Sequence, residues 1–102
     1  ILEATKQVPR ILLERRKTVG IRVPANTVCQ ELLSHLGNPI ISTSASLSDT
    51  PYMNEPDLIE ETFRHQADLF LDNGVGGLEP STVIDLTTEE PEVIRLGKGP
   101  VV

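Results

Sequence analysis

The segment Asp72-Asn73-Gly74-Val75-Gly76-Gly77 is rich in glycine, and glycine runs are where a backbone can wrap closely around a phosphate. This one lacks the lysine and the Ser or Thr that complete a phosphate loop, and it does not open onto a helix. On spacing alone it reads as a turn. The small polar stretch from Ser44 to Thr50 follows the apolar run Pro39-Ile40-Ile41-Ser42-Thr43, and hydroxyls at a strand end suit the mouth of a ligand site. Nucleophilic and general acid–base chemistry find little support, because no Ser/His/Asp order or carboxylate pair stands out. His35 and His65 each fall near a helix end, where exposed histidines are common, and neither receives a function. Cys29 lies on an apolar stripe, which marks a buried structural thiol rather than a nucleophile. As the only cysteine it excludes an intrachain disulfide, and Cys plus two His has no natural zinc spacing.

Charge adds a second kind of chemistry. The first 22 residues hold six basic side chains, Lys6, Arg10, Arg15, Arg16, Lys17 and Arg22, against two acidic ones, a net of +4. The remaining 80 hold three basic and thirteen acidic residues, a net of −10. The overall charge of −6 therefore conceals a basic lead that can meet an anionic partner. No stretch reaches the ~20 apolar residues a bilayer span needs, and no basic leader with an apolar core opens the chain, so a soluble, cytoplasmic protein is expected.

These groups must be positioned by a modest set of elements. A length of 102 residues allows one small domain, and with 3% aromatic content its core must be aliphatic. Ile1-Leu2-Glu3 reads as part of a strand. Thr18 to Val23 reads as another, stopped by Pro24, which has no N–H for a ladder. Asn26 or Thr27 caps a helix whose stripe is Val28, Cys29, Leu32, Leu33 and Leu36, with Gly37 as its left-handed stop. Pro39 to Thr43 reads as a short buried strand. A second helix runs from Asn54 or Pro56 to His65, with Leu58, Ile59, Phe63 and Ala67 inward and an acidic first turn. Asp68 to Leu71 reads as a strand and Asp72 to Pro80 as a connection. Thr82 to Leu86 and Val93 to Leu96 read as two strands, and the tail from Gly97 reads as frayed. The order predicts an α/β or α+β fold, a mixed sheet with covering helices.

Four separated stretches then resemble one family. Lys17-Thr18-Val19-Gly20-Ile21-Arg22-Val23-Pro24 is similar to its Thr- and Arg-bearing strand. Pro39 to Ala45 is similar to its "STSAN" turn. Asp72 to Gly77 with Pro80-Ser81-Thr82-Val83-Ile84-Asp85 is similar to its glycine loop and "STVID" strand. Val93-Ile94-Arg95-Leu96-Gly97 is similar to its closing "V-x-R-x-G". In this order and spacing they resemble the YrdC/YciO family of threonylcarbamoyl-adenylate synthases, which act in transfer-RNA modification. Ala4 to Arg10 and the basic Arg15-Arg16-Lys17 look nearest to the YciO branch. The resemblance makes residues 1–102 the C-terminal half of a single YrdC-like domain, a twisted open sheet, with the N-terminal half absent.

Carried over by position, the resemblance implies that Thr18, Ser44 and Arg95 face ATP, and that Arg22, Ser42 and Ser81 face L-threonine. Bicarbonate would be the third substrate, and Mg2+ would arrive with the ATP phosphates. A planar guanidinium with hydroxyl donors suits a carboxylate, and a triphosphate calls for cations and hydroxyls. The sequence departs from the family's "SANxSG" at Ser44-Ala45-Ser46-Leu47-Ser48-Asp49, where Ser46 replaces the Asn and Asp49 the Gly. That departure implies a weak synthase, because a carboxylate repels a nearby triphosphate. Two alternatives stay open. The intact family fold resembles one with a basic concave face for double-stranded or transfer RNA, a role that would fall here to Lys6, Arg10, Arg15, Arg16 and Lys17. The carbamoyl-transfer domain of hydrogenase-maturation proteins resembles the same fold.

Overall fold

Short backbone ladders, rather than a broad sheet, organise this chain. The structure is a computed structural model that describes residues 1–13, 15–46 and 53–101. It divides into two units, Ile1–Val23 with Glu79–Val102, and Pro24–Leu78.

In the first unit, β1 (Leu2–Glu3) pairs antiparallel with β2 (Thr18–Val19), Leu2 opposite Val19 and Glu3 opposite Thr18. The Ala4 N–H extends the ladder by donating to the Lys17 carbonyl at 3.0 Å. Between these strands Pro9 fixes the entry to one turn of 3-10 helix, Arg10–Leu12. Lys17 takes a left-handed φ of 57°, which turns the chain into β2. Strands β3 (Val83–Asp85) and β4 (Glu92–Arg95) form a second antiparallel pair. Their register runs Val83 opposite Arg95, Ile84 opposite Val93 and Asp85 opposite Glu92, so Ile94 is the extra residue of a bulge. Such a bulge re-aims the side chain beside it, here Arg95. Ile1 links the two ladders: its nitrogen donates to the Ile84 carbonyl at 2.7 Å, and its carbonyl accepts from Leu86 N–H at 3.0 Å.

The second unit holds the helices. Helix α1 (Thr27–Leu36) starts at Asn26, whose Oδ1 accepts from Cys29 N–H at 3.0 Å, and stops at Gly37 with φ 78°. Helix α2 (Pro56–Phe63) begins with proline at a position where no N–H is needed, and Asp57 lies in its first turn. It gives way to turns after Phe63, two residues before the expected end at His65.

Several expectations are corrected here. Pro39 to Thr43 and Asp68 to Leu71 are not strands, and the strand at Thr18 ends at Val19 rather than Val23. An extended run becomes a strand only where a neighbour takes its backbone hydrogen bonds, and these runs join no ladder among the described residues. The aliphatic core is also missing: among the described residues no apolar side chain is buried, and Cys29 is only half-buried. The stripe Val28, Leu32 and Leu36 is present but 37–49% exposed, and Leu58 and Ala67, placed inward by the helical spacing, are also exposed. The tail is not frayed at its start. Lys98 N–H donates to the Pro80 carbonyl at 2.9 Å, and Thr82 Oγ1 accepts from Gly97 N–H at 2.9 Å and donates to the Gly99 carbonyl.

Gly97 is where this closure is tightest. A Cβ there would meet the Pro80 carbonyl oxygen and come within 2.7 Å of the Ser81 carbonyl carbon, so even a methyl group forces the backbone apart. In urea titrations, Gly97→Ala is expected to lower stability by about 1–3 kcal/mol, and Asn26→Ala by about 1 kcal/mol through loss of the cap. A Gly97→Ala variant as stable as the parent would show that the 80–82 and 97–99 segments do not pack this closely.

Candidate functional site

The residues singled out by sequence fall in both units. Thr18, Arg22, Ser81 and Arg95 belong to the first, Ser42 and Ser44 to the second.

In the first unit, Ser81 and Arg95 are brought together. Arg95 Nε donates to the Ser81 carbonyl at 2.9 Å, and its Nη2 lies 3.3 Å from Ser81 Oγ. The bulge at Ile94 and the closure at Gly97 set this geometry, since one shifts Arg95 along the ladder and the other holds Pro80 and Ser81 against the strand's continuation. Both side chains are exposed, so a guanidinium steadied on one edge still offers other N–H donors to a ligand. Thr18 is 4% exposed, fixed in β2 opposite Glu3. Arg22 is exposed and lies three residues beyond the ladder's end. Lys6, Arg10, Arg15, Arg16 and Lys17 are all exposed.

A hollow of about 500 Å³ is lined by Ile1, Arg15, Arg16, Thr18 and Gly20. A second hollow lies along the first turns of α1 and contains none of the expected ligand residues. Of the expected ATP and threonine residues, only Thr18 lines the first hollow. In the second unit Ser42 and Ser44 are exposed and Ser46 half-buried, while Asp49 lies outside the described residues. The glycine segment is an irregular connection in which Gly74 takes a left-handed φ of 83°. Gly74 N–H donates to Asp72 Oδ1 at 2.8 Å, and Gly76 N–H to the Asn54 carbonyl at 2.9 Å, so two amides that a phosphate cradle would use are already committed.

Sequence reasoning missed Asp85. Its side chain is buried, with 2% of its surface exposed, and its charge is met from both sides. Oδ1 accepts from Thr87 Oγ1 at 2.6 Å and from Thr87 N–H at 2.9 Å, and Oδ2 faces Arg16 Nη2 at 3.5 Å. The available signal was the Asp-x-Thr spacing, which lets a carboxylate bond the backbone two residues on. The Thr87 hydroxyl and then its N–H hold the Asp85 pKa below its ordinary 3.8; burial opposes them, and the Arg16 charge lowers it more weakly still.

The chain's relatives agree with this architecture. Residues 1–97 match the family model of Sua5, YciO and YrdC proteins, described as telomere recombination. The chain belongs to this Sua5/YciO/YrdC family. It is 47% identical over 103 residues to the uncharacterised protein YciO of Escherichia coli K12, an alignment covering 99% of this chain and 50% of that protein. It is 32% identical over 103 residues to the threonylcarbamoyl-AMP synthase of Pyrococcus abyssi, covering 99% of this chain and 30% of that enzyme. The crystal structure of E. coli YciO superposes with a TM-score of 0.86 at 46% identity, over 97% of this chain and 49% of that one. The fold is thus the small mixed α/β arrangement of YciO. The chain spans about half the length of the YciO relatives it matches.

Asp85 carries a pH dependence with a definite sign. A carboxylate whose folded pKa is depressed adds stability above its ordinary value, and that stability is lost as the pH falls through the folded value. Melting temperatures followed from about pH 6 down to about pH 2 should therefore fall more steeply in the parent than in Asp85→Asn, with the two curves converging at the acid end. Parallel curves would show that Asp85 is not held below its ordinary range.

Proposed function

We propose that this chain supplies part of the ATP and L-threonine site of a threonylcarbamoyl-AMP synthase-type protein. In that reaction the threonine amine and bicarbonate give a carbamate and water, and a carbamate oxygen attacks the α-phosphorus of ATP while the bond to pyrophosphate breaks. Family membership supports the reading, together with relatives named threonylcarbamoyl-AMP synthase. The observation that carries it is the contact between Arg95 and Ser81. These are the residues expected to face the nucleotide and the amino acid, and a reaction joining the two substrates needs such groups side by side.

Alignment and charge neutralisation do most of the work in such a transfer, so no protein nucleophile is required. Arg95, with Thr18 and Ser44, would meet the nucleotide. Arg22, with Ser42 and Ser81, would meet the threonine, Arg22 taking its carboxylate through a planar pair of donors. Mg2+ would come bound to the ATP phosphates. Among the described residues no three His, Cys, Asp or Glu side chains gather into a metal cage. No described helix is long and apolar enough to cross a membrane.

RNA binding is the second reading, and the common exposure of the five basic side chains of the lead favours it. Affinity for a duplex RNA would fall steeply with added salt.

The test uses the intact protein. Pyrophosphate release should require ATP, threonine and bicarbonate together, and calorimetry should show that Arg22→Ala weakens threonine about ten- to a hundredfold with a smaller effect on ATP. Equal losses for both ligands would make Arg22 structural. No release and no binding of either ligand by the parent would sink the synthase reading and leave the RNA-binding one.

A further inference from the structure

Arg16 and Asp85 belong to neither the ATP set nor the threonine set assigned above, yet they meet beside Thr18. The Asp85 carboxylate is almost wholly buried at the end of β3, with one oxygen occupied by Thr87 and the other directed at Arg16 Nη2, 3.5 Å away. The Arg16 side chain is 70% exposed and lines the hollow of about 500 Å³ that Thr18 and Gly20 also line. An ion pair with one end so exposed and a gap this long adds little to stability. Its geometry does something else. A guanidinium has five N–H donors, so one nitrogen can rest on a fixed carboxylate while the rest of the fork stays available. The left-handed residue Lys17 separates Arg16 from Thr18, so the chain turns between the guanidinium and the strand hydroxyl.

We propose that Asp85 is a positioning residue that, acting through Arg16, presets a guanidinium at the hollow beside Thr18, where Arg16 binds a phosphate oxygen of ATP. This rests on the synthase reading above and extends its ATP site to two residues outside the ATP and threonine sets that the family resemblance supplies. Preorganisation is the physical gain: a long side chain already held in its binding orientation loses less rotational freedom when the ligand arrives. Asp85 itself touches no ligand, since an anion beside a phosphate repels it.

The experiment is a double-mutant cycle in the intact protein, with ATP and threonine titrated separately by calorimetry. Arg16→Gln should weaken ATP about tenfold. Asp85→Asn keeps an acceptor for Thr87 but drops the charge, and should weaken ATP less, by about threefold. In the double variant Asp85→Asn should add nothing to the loss from Arg16→Gln, and threonine affinity should stay within about twofold throughout. Arg16→Lys should recover only part of the loss, because it restores the charge without the fork. Unchanged ATP affinity in Arg16→Gln, additive losses, or an equal fall in threonine affinity would each overturn the proposal while leaving the synthase reading in place. A parent that binds neither ATP nor threonine would remove that reading and this proposal together.

Discussion

A charged carboxylate withdrawn from water is costly unless donors meet it, and Asp85 is met by three. Much of the first unit is arranged around that requirement. Thr87 must fold back to offer both its hydroxyl and its N–H, which shapes the exit from β3. Arg16 must approach, which brings the basic turn ahead of β2 towards the end of β3. Ile1 bonds on either side of the carboxylate, at Ile84 and Leu86, and so carries β1 to the same place. Three stretches distant in sequence thus meet at one residue, and the strand bearing Thr18 is among them.

The closure around Gly97 is a second constraint of the same kind. Thr82 uses its hydroxyl as acceptor and donor at once, between Gly97 and Gly99, and Pro80 accepts from Lys98. Only a residue without a Cβ lets the two backbones come this near. Arg95 and Ser81 sit at the edge of the closure, so a stability requirement and a site geometry are met by the same glycine. These contacts are polar and local, and they order the unit without any buried apolar side chain among the described residues. The apolar stripe of α1 is written in the sequence all the same.

What could be read from sequence follows from how local each cause is. Asn26 and Gly37 delimit α1 correctly because a cap and a left-handed stop act within a few residues. The β3–β4 pair was legible for a similar reason, two apolar runs joined by a short polar connection. Pro39 to Thr43 and Asp68 to Leu71 were misread because β propensity describes a residue's fitness for a ladder and not whether a partner strand exists. Asp85 escaped notice because burial depends on chain segments 69 and 84 residues away, at Arg16 and Ile1. The candidate ligand residues were legible only through resemblance to a family. Composition and periodicity alone give Ser42, Ser44 and Ser81 no more meaning than ordinary strand-end hydroxyls.

The two ligand candidates on the β2 segment show what geometry adds to such a motif. Thr18 is buried and paired in register with Glu3, so its backbone position is fixed before any ligand arrives. Arg22 lies beyond the last paired residue, Val19, with its side chain in solvent. An arginine carries about 2 kcal/mol of rotamer entropy, and a charge-assisted hydrogen bond is worth about 1.5–3 kcal/mol. Ordering Arg22 on binding therefore takes up part of what its bond to a carboxylate provides. A guanidinium resting on a buried carboxylate, as Arg16 rests on Asp85, avoids much of that cost. Beside β2, then, the arginine that the family motif marks, Arg22, is not the one held against a buried carboxylate, Arg16, whereas at β4 the motif arginine Arg95 is itself steadied on Ser81.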